Sequence, residues 1–171
     1  MATARTLTTT AADHRIAALA TLAVTIHVAE AALPSPIPGF KPGLANVITV
    51  TALFLYGWRV AAWVTGLRVI VSGLLLGTFL SPAFMLALGG ALASLLALAV
   101  SARLPAVGPL GASVLAALAH MAGQFLVAWG VFIPHPSLPL LLAPLLTAAV
   151  LTGTLSGIIA LMVVRRLQKP V

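Results

Sequence analysis

Six apolar runs, each near the length that crosses a bilayer, leave this chain few folds to adopt. A helix spans the hydrocarbon core with about 20 mainly apolar residues. Breaks at Pro, Gly or charge divide the sequence into stretches at roughly 15–33, 44–58, 60–79, 82–101, 108–132 and 138–164. The breaks are Pro34 to Gly43, the Gly57-Trp58-Arg59 corner, Ser81-Pro82, Ala102 to Pro109 and Pro134-His135-Pro136. In lipid, backbone N–H and C=O groups must be satisfied within the protein, so runs of this length read as helices. The expected fold is an all-α integral membrane protein, a six-transmembrane-helix bundle over residues 15–166. A flexible N-terminal tail at 1–14 and a short tail at 167–171 flank it. The second run is short for a full crossing and the corner after it is tight, so the second and third spans are expected to be tilted or partly merged.

The formal charge of +7 would suggest nucleic acid in a soluble protein, but only 6% of the 171 residues are charged against 61% hydrophobic. The basic residues stand singly between apolar runs, and they read as topology, because cytoplasmic ends of membrane proteins are enriched in Lys and Arg. With the N-terminus inside, Arg5, Arg15, Arg59, Arg103, Arg165, Arg166 and Lys169 all fall inside, which is seven of the nine basic residues. Lys41 alone lands in an outer loop and Arg68 alone within a span. Both termini are therefore expected in the cytoplasm, in a multi-pass membrane protein. Tyr56, Trp58 and Trp63 then lie at the inner interface and Trp129 near the outer one, where amphipathic rings concentrate. Arg5, Arg15, the apolar run 16–28 and Ala29-Glu30-Ala31 also have the outline of a signal peptide, but the topology keeps this stretch as the first span.

The segment from Leu33 to Gly43 is the least helical part of the chain. Pro34, Pro36, Pro38 and Pro42 each remove a backbone donor and restrain the residue before them, while Gly39 and Gly43 widen the accessible backbone. Small residues also recur at helix-packing spacing, at Gly73 and Gly77, at Gly89-Gly90, and at Gly153 and Gly157. Such positions let helix backbones approach in lipid, where hydrophobicity does not drive helix to helix.

Depth follows from the helical rise. His120 and Gln124 lie about 18 and 24 Å from the inner end of the fifth span, on one face because they are four residues apart. Glu30 lies about 22 Å above Arg15, with His27 on the same side. Asn46 opens the second span from outside, and Arg68 sits near mid-depth in the third with a side chain long enough to reach outward. Glu30, Lys41, Asn46, Arg68, His120 and Gln124 thus gather at a similar outer depth and form the candidate substrate-binding set. Intramembrane ionisable groups are costly and face a partner or a water-filled cavity. A structural ion pair between Glu30 and Arg68 is the competing reading. His120 with Gln124 has an interhelical hydrogen bond as its bland alternative, and His27 reads as a core histidine.

Several chemistries have no residues to perform them. The chain has no cysteine, its only lysines are Lys41 and Lys169, and its only acids are Asp13 and Glu30. A phosphate-binding Walker loop, a carboxylate pair for a magnesium diphosphate, a Ser-His-acid triad and a zinc spacing are all missing from the sequence. The expectation is a protein that is not an enzyme and needs neither metal nor cofactor.

The run from Glu30 to Asn46, EAALPSPIPGFKPGLAN, with Arg68 in the next span but one to the first and His120-Met121-Ala122-Gly123-Gln124 in the fifth, resembles the Gx transporter family, also labelled heptaprenyl diphosphate synthase component I. The resemblance covers most of the chain from Arg15 onward. That family is similar to the substrate-binding subunits, or S-components, of energy-coupling factor importers, which are six-helix bundles. The resemblance implies capture of a small micronutrient from the outer side, the loop after the first helix serving as a lid, and partnership with a membrane coupling subunit and ATPase subunits. Lys41 and Arg68 outnumber Glu30, so an anionic or zwitterionic substrate is favoured. The other family label implies a different role, a non-catalytic membrane accessory of polyprenyl (heptaprenyl) diphosphate synthesis.

Because the chain lacks cysteine, single substitutions report sidedness cleanly. An impermeant maleimide is expected to label Ser35→Cys on intact cells and Thr8→Cys only after permeabilisation; the reverse pattern would invert the topology.

Overall fold

The computed structural model describes residues 9–33 and 43–168, and all regular structure among them is helical. The helices are α1 (Ala11–Ala32), α2 (Leu44–Tyr56), α3 (Trp58–Leu75), α4 (Pro82–Ser101), α5 (Pro109–Val127) and α6 (Leu142–Gln168). A π-helical turn at Ala128–Phe132 extends α5, and a 3-10 turn at Leu138–Leu141 leads into α6. Five of these units are long and apolar enough to cross a membrane, and α2 is the shorter sixth. The protein is a multi-pass membrane helix bundle.

Local chemistry explains most boundaries. Thr10 and Asp13 form a reciprocal capping box, so α1 starts at Ala11, four residues before the expected span. Ser81 accepts from the Phe84 amide with Pro82 at the first helical position, and α4 keeps its expected bounds. Gly57 separates α2 from α3 as distinct helices rather than a merged span. Gly77 departs from expectation. It does not pack a helix against a neighbour, since α3 has already ended. It adopts φ +65°, the Thr78 amide donates to the Gly73 carbonyl and the Gly77 amide to that of Leu74, which is the left-handed glycine closure of a helix end.

The short helix is the centre of the bundle. At 13 residues α2 is about 20 Å long, less than the roughly 30 Å of a hydrocarbon core. It touches α1, α3, α5 and α6. Its Val47, Val50, Ala52 and Leu53 form the core with Ala61 of α3, Leu98 of α4, Ala112 and Ala116 of α5 and Ala160 of α6. Thr49 and Thr65 join α2 to α3 by a buried hydroxyl–hydroxyl hydrogen bond of 3.2 Å.

The remaining glycines of the packing set lie at close helix contacts. A Cβ on Gly153 would sit 2.8 Å from that of Ala117, and one on Gly157 would sit 3.0 Å from the Leu110 backbone, so α5 and α6 meet through absent side chains. Gly89 meets Val127 and Gly123 across the α4–α5 contact in the same way. Gly157→Leu is therefore expected to lower stability by about 1–3 kcal/mol through overpacking. Gly66 has open space around its Cβ position, and Gly66→Ala is expected to raise stability by about 0.5–1 kcal/mol. Thermal unfolding in detergent checks both, and equal effects from the two substitutions would contradict the packing assignment.

Candidate functional site

The site is organised by the first turn of α2. Gly43 precedes that helix at φ +70°, a backbone conformation favourable to glycine, and offers no side-chain cap. The cap comes instead from another helix: Oε1 of Glu30, near the end of α1, accepts the Leu44 N–H at 2.7 Å. The carbonyl of the same peptide unit, that of Gly43, accepts from the Ser156 hydroxyl of α6 at 3.3 Å and from the Asn46 amide at 2.9 Å. One peptide group thus ties α1, α2 and α6 together. A carboxylate at a helix N-terminus also meets the positive end of the helix dipole, which answers part of its charge.

Beside this junction lies a cavity of about 470 Å³, within the size range of small-molecule sites. Glu30, Asn46, Arg68, His120 and Gln124 all line it, so five of the six candidate residues, from α1, α2, α3 and α5, come to one space. Lys41 and the proline segment lie outside the described residues. Arg68 is only 8% exposed. Its charge interacts with Glu30, yet among the described residues none accepts a hydrogen bond from its guanidinium, and no contact ion pair joins the two. Oε1 of Glu30 is directed to the α2 amide, while its charge also acts on Arg68.

His120 and Gln124 reach the cavity because Gly90 of α4 has no side chain. A Cβ there would come within 2.8 Å of the imidazole and of the Gln124 Cγ. The His120 ring is hydrogen-bonded to the Gly90 backbone and lies within reach of the charge of Arg68. His27 also lines the cavity, rather than lying in a sealed core.

Other wall residues escaped the sequence reasoning. Ser72 stands one turn beyond Arg68 on the same face of α3, 2% exposed, and its hydroxyl has no hydrogen-bond partner among the described residues. The four-residue spacing from Arg68 was a usable signal. Phe84 of α4 and Thr152, Gly153 and Ser156 of α6 complete the wall. Nothing in an apolar fourth run distinguishes Phe84 from its neighbours; its place depends on Gly73, against which its ring packs.

A profile of the family described as heptaprenyl diphosphate synthase component I matches residues 19–163. No curated protein and no solved structure matches.

The junction makes a quantitative demand. Glu30→Ala leaves the Leu44 amide without its acceptor and is expected to cost about 1–3 kcal/mol, whereas Glu30→Gln keeps a carbonyl oxygen in place and should cost less. Thermal unfolding of both variants is the measurement; an unchanged Glu30→Ala protein would show that the contact does not seat α2.

Proposed function

The chain belongs to the heptaprenyl diphosphate synthase component I family, and from that membership and the cavity we propose that it is the substrate-binding membrane subunit of an energy-coupling factor type importer. Its cargo is a small anionic or zwitterionic micronutrient taken from the outer side. The observation that carries this reading is Arg68. A buried charge without a hydrogen-bonded counter-group is costly, and here it faces a cavity of ligand size. An acidic group on a ligand would supply the acceptor that no described residue provides. Asn46, His120 and Gln124 would orient the rest of the molecule, and the Gly43–Leu44 junction would hold the binding wall in place.

With the topology expected from the basic residues, the cavity would open toward the outer side and the proline segment would belong to an outer loop. That segment would act as a lid, its prolines limiting the conformational freedom lost on closure. The sequence holds no nucleotide-binding loop, so the energy for release inward would come from ATPase subunits through a membrane coupling subunit.

The family description favours a second reading, a non-catalytic membrane accessory of polyprenyl (heptaprenyl) diphosphate synthesis. With Asp13 and Glu30 as its only acids, the chain has no carboxylate pair to hold a magnesium diphosphate, so catalysis would belong to a separate subunit.

Affinity purification from native membranes in mild detergent separates the two. Retrieval of coupling and ATPase subunits is expected. Retrieval of a prenyl synthase in their place, with synthase activity dependent on this chain, would overturn the importer reading. Arg68→Gln is expected to weaken capture of the co-purifying small molecule about 10- to 100-fold, the worth of a charge-assisted hydrogen bond, and unchanged retention in a folded variant would remove Arg68 from the site.

A further inference from the structure

The wall of the cavity changes chemistry along α3. Arg68, Ser72 and Leu76 lie one turn apart on one face, so the lining passes from a guanidinium through a hydroxyl to a hydrocarbon over about 12 Å. Phe84 packs against this face at Gly73, where a Cβ would lie 2.8 Å from its ring. Phe79 holds the same ring, with centroids 4.9 Å apart and planes at 59°. The Ser81 cap holds its backbone. The aromatic surface is thus fixed before anything binds. Leu86 and Ala87 of α4 and Ala149 of α6 continue the apolar wall. Thr152 adds little polarity, because its hydroxyl donates back to the Ala148 and Ala149 carbonyls of its own helix.

At the other end of the gradient the charge balance is narrow. Glu30 is partly answered by the Leu44 amide, which leaves Arg68 as the cation without a hydrogen-bonded acceptor among the described residues. One acidic group satisfies it. A second negative charge nearby would meet Glu30 and be repelled. A single acidic group fills only a small part of 470 Å³, and a polar remainder reaching the stretch of wall made by Leu76, Phe84, Leu86 and Ala87 would find no side chain of theirs to bond it.

From this gradient we infer that the occupant is an amphiphilic acid. One acidic head sits at Arg68, and an apolar body carrying a ring or unsaturation lies against Phe84 and Leu76. The inference rests on the ligand-capture reading and narrows it, separating this cavity from sites for inorganic anions or for small, wholly polar zwitterions. The affinity comes from two parts. The head contributes a charge-assisted contact, and each methylene moved from water to the apolar wall tightens binding about three- to fourfold.

The test uses the purified full chain in lipid nanodiscs and follows thermal unfolding with phenylacetate, phenylpropionate and phenylbutyrate, with the matched phenylalkylamines, and with inorganic phosphate and alanine. The carboxylates are expected to raise Tm saturably, with half-saturation falling about three- to fourfold per methylene. The amines, phosphate and alanine are expected to leave it unchanged. Arg68→Gln should raise the half-saturating carboxylate concentration about 10- to 100-fold, and Phe84→Leu, which keeps an apolar wall without the ring, should weaken the response while the bundle stays folded. Equal stabilisation by phosphate or alanine, no dependence on chain length, or no shift with any carboxylate would overturn the inference. A response to alanine that is lost in Arg68→Gln would leave the capture reading standing without the amphiphile. A carboxylate response in a chain that retrieves no coupling or ATPase subunits would do the opposite.

Discussion

The contact between the Glu30 carboxylate and the Leu44 amide sets the rest of this molecule. It supplies the cap that Gly43 cannot, and so seats the short central helix against α1 while Ser156 grips the same peptide from α6. It also engages one oxygen of the acid whose charge acts on Arg68. In the proposed function this contact matters twice, since a Glu30 closed onto Arg68 would answer the guanidinium from within the protein. Arg68 lines the cavity wall with no hydrogen-bonded acceptor among the described residues.

Burial explains why a 13-residue helix is tolerated in a membrane protein. α2 is enclosed by four neighbours, so its ends need not reach the bilayer surfaces, and polar backbone at its start is satisfied by protein groups rather than lipid. The glycine contacts between α4, α5 and α6 bring those helices close. The same economy of side chains at Gly90 and Gly73 positions His120, Gln124 and Phe84. Packing and site construction therefore use the same small residues.

Much of this was legible in the sequence for identifiable reasons. Hydrophobic runs and their Pro, Gly and charge breaks mark helices directly, and Pro82 and Ser101 bound α4 as expected. Rare polar residues in an apolar chain stand out, which is how five residues that line one cavity were found from separate spans. The misses share one cause. Phe84, Thr152 and Ser156 are ordinary in composition, and only the pairing of helices gives them a role. The bond of Glu30 to a backbone amide was likewise invisible, because sequence shows side chains and not which main-chain donors a fold leaves without partners. Gly77 was misread because GxxxG spacing cannot distinguish a packing glycine from one that ends a helix.

The central claim is that Arg68 faces an occupant rather than an internal partner. An experimental structure of the protein purified from its native membrane, with no ligand added, tests it most directly. The account predicts a small molecule in the cavity with an acidic group in hydrogen-bond contact with Arg68, while Glu30 remains on the Leu44 amide. A structure in which Glu30 has left that amide to close a direct bridge with Arg68, in an otherwise vacant or collapsed cavity, would contradict it.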